Sequence, residues 1–290
     1  LSERRITMAD IADVGSYLPV AANAVTNTSL HYVTGDNASV GTAYELVSNL
    51  DDATMTQLGT AGDGIELISA STDDDGSPAG TGAQTVTVKG LDTSFNIKEA
   101  TVTMNGTTVV EQGDTTWTFI NEAFIASVGT GLESAGIIQV QNDASANDIA
   151  QIDQGRYKMA SAWWKVPAGH TGYVFGFWGN TTPTGTSAGV ATFALQMARH
   201  GLQGLATNDG SHEWETIAEM NIGEHDSDIA QIVTTDSPGV FSFPGNIPLV
   251  VPAKAIVRLA AKSWSGTVGV HGGFHIIIQG SGSGTTVTSS

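Results

Sequence analysis

Apolar and polar residues alternate with a period of two along most of this chain, and stretches with a helical period are scarce. The pattern is clearest from Gln84 to Lys89 and from Glu99 to Met104, where Val alternates with Thr. Such alternation puts apolar side chains on one face of a strand and hydroxyls on the other. The two strands flank a turn-rich connection and end at Asn105-Gly106, a pair that tolerates positive φ. The segment reads as a local β-meander. Glu66–Ala70, Thr115–Ile125 and Gly136–Val140 supply further short strands, so residues 65–141 form a small β domain. Tyr157–Val166, Gly172–Gly179, Val190–His200, Glu213–Ile222, Val240–Phe243, Ala255–Trp264 and Val268–Gln279 have the same character. Strands separated by turn signals every 8–12 residues or so predict a second domain, a β-sandwich or jelly roll over 155–280.

Between the two lies 142–154, polar and rich in Asn, Asp and Ala, which reads as a linker. Residues 1–64 are the least regular. Ile6 to Val20 is weakly apolar through Ile6, Ile11, Val14, Leu18 and Val20, with a short helix around Ala9–Val14 at most. The whole stretch reads either as an extended arm ordered against a neighbour or as a strand added to the following domain; the sequence favours neither. The tail 281–290 is Gly/Ser/Thr-rich and reads as flexible. The predicted fold is therefore all-β: two tandem antiparallel sandwich or jelly-roll-like domains behind an irregular N-terminal arm.

Composition narrows the function. A formal net charge of −18 argues against nucleic-acid backbones and against anionic membrane surfaces. No apolar run approaches the roughly 18 residues of a membrane span, and Leu1-Ser-Glu-Arg-Arg5 is followed by no signal-like apolar stretch. Without a single cysteine, disulfides and thiolate chemistry are excluded.

Candidate chemistry is thin. His271 and His275 share a strand face and suggest a zinc pair with His225 or Asp226, but a structural or surface role outweighs this. Asp73-Asp74-Asp75-Gly76 looks like the opening of a calcium loop without its closing Glu, and a solvated turn is the better reading. There is no G-x-S-x-G elbow and no phosphate loop. Glu213 and Glu215 read as a solvated sheet face. No catalytic residue, cofactor or metal is assigned. Trp163 and Trp164 are neighbours on one predicted strand, so they point to opposite faces: one is core, the other faces a subunit or interdomain contact, or stacks on a sugar.

Three blocks carry a resemblance. "AGTGAQTVTVKGLDTSFNIKEATVTMNGTT" (Ala79–Thr108) resembles a pattern common in structural proteins of tailed bacteriophages, marine ones especially, with Phe95 at its aromatic position and Met104 at its aliphatic one. "VPAGHTGYVFGFW" (Val166–Trp178) is similar to their strand–turn–strand, and "FPGNIPLVVPAKAIVRLAA" (Phe243–Ala261) to a late strand. The blocks stand in the same order and span about Ser71 to Gln279. The resemblance implies a virion component, assembled in the host cytoplasm and carried on the extracellular particle. The long spine helix of the usual tailed-phage shell protein is absent from the pattern, which points to an accessory role. The expectation is a non-enzymatic capsid decoration or spike protein, a homo-oligomer of trimeric form, docked on the major capsid protein. Ile6, Ile11, Val14, Leu18 and the outward member of Trp163/Trp164 would form the interfaces. Deleting residues 1–40 is expected to abolish incorporation and leave both β domains folded. The alternative is a tail or fibre component that binds host glycans.

Overall fold

The computed structural model describes residues 27–50, 58–59, 61–182, 189–199, 214–222, 239–243 and 247–280. None of them is helical. Two strands come first: β1 (Thr28–Val40) and β2 (Glu45–Leu46). Seven follow: β3 (Ile65–Ser69), β4 (Ala83–Asp92), β5 (Ile97–Thr103), β6 (Val110–Glu111), β7 (Trp117–Val128), β8 (Ile138–Asn142) and β9 (Asp148–Ile152). The remaining eight are β10 (Trp163–Lys165), β11 (His170–Thr182), β12 (Ala191–Ala198), β13 (Glu215–Ile222), β14 (Gly239–Ser242), β15 (Leu249–Val251), β16 (Ile256–Ser263) and β17 (Val268–Gly280).

The larger unit is a sandwich of two antiparallel sheets, ordered β1-β17-β11-β14 and β10-β16-β12-β13. Set β2 and β15 aside as short additions, and the first strand pairs with the eighth, the second with the seventh, the third with the sixth and the fourth with the fifth. That is the strand order of a jelly roll. Its core holds Val33, Trp164, Val174, Phe177, Phe193, Leu195, Leu259, Phe274 and Ile276, all nearly or wholly buried.

The smaller unit, β3 to β9, is a second sandwich, of a four-stranded sheet (β6-β3-β8-β9) and a three-stranded one (β5-β4-β7). Its core is built on Trp117, Phe119, Ile65, Leu67, Val86, Val88, Ile138 and Val140. It hangs from a short two-stranded stalk. Asn49 N–H donates to Ala160 O (3.0 Å), Ala162 N–H to Val47 O (2.8 Å), and the Ser48 and Ser161 hydroxyls share a buried hydrogen bond of 2.7 Å.

The all-β, antiparallel sandwich architecture matches expectation, but the domains are nested rather than tandem. The described part of residues 1–64 is no free arm: β1 pairs with β17 from Thr28↔Gln279 to Val40↔Val268 and completes the larger sheet. Nor is 142–154 a linker, since β9 lies there and pairs with β8 through Ile138↔Ile152. Asp143 and Asn147 sit in the turn between the two strands, while Asn142 closes β8 and Asp148 opens β9. The strand predicted from Tyr157 begins only at Trp163. The tail 281–290 and the segment Ala9–Val14 lie outside the described residues.

Two devices hold these units. The first is a row of glycines facing the larger core: Gly35, Gly272, Gly179 and Gly239 stand in register across β1, β17, β11 and β14. The facing sheet fills the space they leave. A methyl group on Gly179 would sit 2.7 Å from the Phe193 ring, and one on Gly272 would sit 2.7 Å from Leu259. The second is Asp74, fully buried rather than solvated. Its carboxylate accepts from Ser69 Oγ (2.6 Å) and from the N–H groups of Ala83 (2.6 Å), Ala135 (2.8 Å) and Gly136 (2.9 Å). The acidic run reads as a turn because a sequence does not show that a carboxylate has four buried donors waiting for it.

Gly179→Val is expected to overpack the larger core and cost about 1–3 kcal/mol, read as a lowered urea midpoint. Asp74→Ala leaves four donors without an acceptor and is expected to cost more than about 3 kcal/mol, with the small domain losing amide protection first in hydrogen exchange.

Candidate functional site

The two predicted interface tryptophans resolve into one arrangement. They do point to opposite faces of β10, but neither faces outward: Trp163 is 3 % and Trp164 5 % exposed. Trp164 belongs to the jelly-roll core and packs on the His31 ring at 4.1 Å. Trp163 belongs to the small-domain core and packs on Phe119 at 4.9 Å. Of the subunit or interdomain contact expected of one of them, the structure shows the interdomain one: the second face is occupied by the chain's own inserted domain, and no exposed tryptophan is left on β10 for a subunit contact. The other predicted interface residues, Ile6, Ile11, Val14 and Leu18, lie outside the described residues.

The sequence blocks that carry the resemblance meet at this junction. The turn after β4 is closed by the Asp92 carboxylate, which accepts from the N–H groups of Ser94 and Asn96 at 2.8 Å each. It presents Phe95 at a φ of 63°. Phe95 O accepts from Ala168 N–H (2.7 Å) in the Val166–Gly169 turn of the second block. Lys254, in the third block, donates its N–H to Val166 O (2.8 Å) and sets its ammonium 5.1 Å from the Phe95 ring. Lys165 lies over the same ring at 4.6 Å, with burial pushing its pKa down to about 8. From β7 the Asn121 amide answers the Lys165 backbone in both directions, donating to its O (3.0 Å) and accepting from its N–H (2.8 Å). The motifs are thus turns that weld one domain to the other.

Surface chemistry gathers on the outer face of β1-β17-β11. Alternation puts Tyr32, Asp36, His271, His275, Trp178 and Asn180 on that face. Tyr32 and His275 are in edge contact at 4.6 Å, and so are Trp178 and His271 at 4.9 Å. The shared face predicted for the two histidines is therefore present, and Gly272-Gly273 does not break the strand. Their expected partners His225 and Asp226 fall outside the described residues, among which no cluster of three or more His, Asp or Glu side chains is placed to hold a metal. Asp36 takes Arg156 Nη2 at 3.1 Å; burial raises its carboxyl pKa and the guanidinium works against that rise. Glu215 is exposed and paired with Arg199 at 3.5 Å, as a solvated face requires, while Glu213 is outside the described residues. No described helix is long and apolar enough to cross a membrane.

No protein-family model and no curated protein matches the chain. Among solved structures it is similar to that of infectious bursal disease virus, Gt strain, at 12 % identity and a TM-score of 0.18, over 88 % of this chain and 72 % of that one. It is also similar to infectious bursal virus-derived T=1 particles, at 11 % identity and a TM-score of 0.24, over 92 % and 76 %. The VP2 subviral particle of infectious bursal disease virus aligns at 10 % identity and a TM-score of 0.20, over 90 % and 74 %. Superpositions this loose carry no argument about function; the strand order of the chain itself carries more.

His31 gives the junction a pH dependence. Burial pushes its pKa down to about 4, against the pull of Glu122 and with the help of Lys158 and Lys89. The unfolded chain binds that proton more readily, so stability present above about pH 6.5 is lost as pH falls toward 4, by up to about 3 kcal/mol. Urea midpoints between pH 7.5 and 4 are expected to fall more steeply for the native chain than for His31→Gln.

Proposed function

We propose that the chain is a non-enzymatic structural component of a bacteriophage particle, a capsid decoration or spike protein that sits on the major capsid protein as a homo-oligomer, a trimer. The observation that carries this reading is the jelly-roll strand order, with a compact second sandwich suspended from its first connection. Jelly rolls recur in viral capsid and lectin domains, and a fold shared so widely sets a class rather than a task. The sequence blocks supply the rest: their resemblance is to virion proteins, and here they act as turns that fix a rigid two-domain body rather than lining a reaction centre. Such a body suits a load-bearing or projecting element. The acidic balance of −18 keeps many copies held close together soluble.

The alternative, a tail or fibre component that binds host glycans, draws on the aromatic and polar side chains around Trp178.

Docking through the N-terminal segment is testable only with a shorter deletion than the sequence suggested. Removing residues 1–40 takes away β1 and unzips the larger sheet, so folding and docking fail together. Removing residues 1–26 leaves β1 in place. The shortened chain is expected to keep its thermal midpoint within a few degrees and its trimeric mass in light scattering, and to be missing from purified particles. Particles that carry it at full occupancy would refute the docking role, and electron cryo-microscopy density confined to the tail would refute decoration.

A further inference from the structure

Exposed apolar side chains gather on the outer face of the larger sheet, and register sets out their rows. Leu30, Ile277, Tyr173 and Val250 stand side by side across β1, β17, β11 and β15. Thr34, Gly273, Trp178 and Val240 do so across β1, β17, β11 and β14, with Tyr32 and His275 between the two rows. Alternation turns them outward, because Val33, Val174, Phe177, Phe274 and Ile276 take the inward positions. Ile277 and Tyr173, in the middle, are buried. The margins are open: Tyr32 is 54 % exposed on the β1 side, and Val240 and Val250 are 68 % and 52 % exposed on the β14/β15 side. Scattered apolar side chains on a surface are ordinary, whereas a connected group of them marks a contact surface. Charge is missing from the same place. The five strands of this sheet hold one acidic residue, Asp36, and no lysine or arginine. Asp36 lies toward one end and is paired with Arg156. The outer face of the other sheet carries Glu219, Arg258 and Lys262.

We propose that this face is the self-association surface of the chain: three copies turn it toward a common axis, and the Tyr32 margin of each packs on the Val240/Val250 margin of the next. The inference rests on the homo-trimeric reading above and names its interface. Charge selects the occupant. Copies that each carry −18 repel one another and meet closely only where charge is absent. A basic partner would be drawn to the acidic remainder of the surface instead, and exposed valines offer the hydroxyls of a sugar no partner. A closed three-fold ring needs two unlike patches that fit each other. The sheet order supplies them at its opposite edges, aromatic at one and aliphatic at the other. The size suits as well. β17 runs for 13 residues and four strands lie abreast, so the face measures about 44 by 19 Å, roughly 800 Å² before its side chains add relief. Each partner in a standard complex gives about 800 Å² to its contacts.

Size-exclusion chromatography with light scattering, on the full chain at micromolar concentration, tests this. The native chain is expected to run at the trimeric mass. Tyr32→Glu and Val250→Glu, one on each margin, would each put an unpaired charge into the contact. Each is expected to weaken association at least about a hundredfold and to run as a monomer with an unchanged far-ultraviolet circular dichroism spectrum. Val109→Glu adds the same charge at an exposed apolar position of the small domain and is expected to leave the trimer intact. A native trimer that survives both margin substitutions would overturn this face and leave the homo-trimeric reading standing. Dissociation by only one of the two would overturn the pairing of the margins, and dissociation by Val109→Glu as well would show that added charge rather than its place is at work. A native monomer or dimer would overturn the trimeric reading, and this inference with it.

Discussion

Three residues of β10 hold the molecule to a single shape. A strand has two faces, and in most antiparallel sandwiches one of them meets water. Here both are spent on cores: Trp164 closes the jelly roll and Trp163 closes the inserted sandwich. Each buried indole removes about 150–250 Å² from water, worth several kcal/mol at about 25 cal/mol per Å². Neither indole N–H finds a partner among the described residues, so the contacts are apolar and offset part of that gain with unmet polarity. The two cores cannot shift independently, because adjacent side chains on one short strand belong to different domains. Asn121 secures the same strand through its last residue, Lys165.

The junction gives the sequence blocks a physical meaning. Each looked like a local turn, and each is one. What a local reading misses is that the three turns were shaped for one another: Phe95 is offered at positive φ, the Val166–Gly169 turn takes its carbonyl, and Lys254 covers its ring. Lys165 and Lys254 were unremarkable in the sequence because a cation above an aromatic ring is a relation between residues scores of positions apart.

β4, β12, β16 and β17 were legible within a few residues: β4 from its alternation, the other three from runs rich in apolar residues that are buried almost throughout. The architecture they build was legible only as a class. β1 lies among polar residues, and its partner β17 stands at the other end of the chain, so nothing local announces the pairing that turns an irregular arm into the edge of a sheet. β9 is short and flanked by Asn and Asp, which made a paired strand look like a linker. Trp163 and Trp164 were read correctly as opposed, but periodicity cannot say whether an outward face meets solvent, a partner or the chain's own inserted domain. That Asp36, His271 and Asn180 stand on one row, with Trp178 two residues along the same face, is visible only in the register.

The larger sheet also brings the beginning and the end of the sandwich together: Thr28 stands opposite Gln279, and Gly280 N–H donates to Asn27 O at 2.8 Å. The inserted domain has the same property, entering and leaving through the stalk at Ser48 and Ser161. A unit whose entrance and exit coincide can be spliced into a loop of another protein without stretching either one. The chain therefore already carries one unit joined in this way, and the geometry of its own described ends allows it to be joined likewise. The sandwich can be carried as cargo in a host loop just as it carries its own passenger, and a linker of a few residues between 280 and 27 would let the chain be reopened elsewhere with the fold intact.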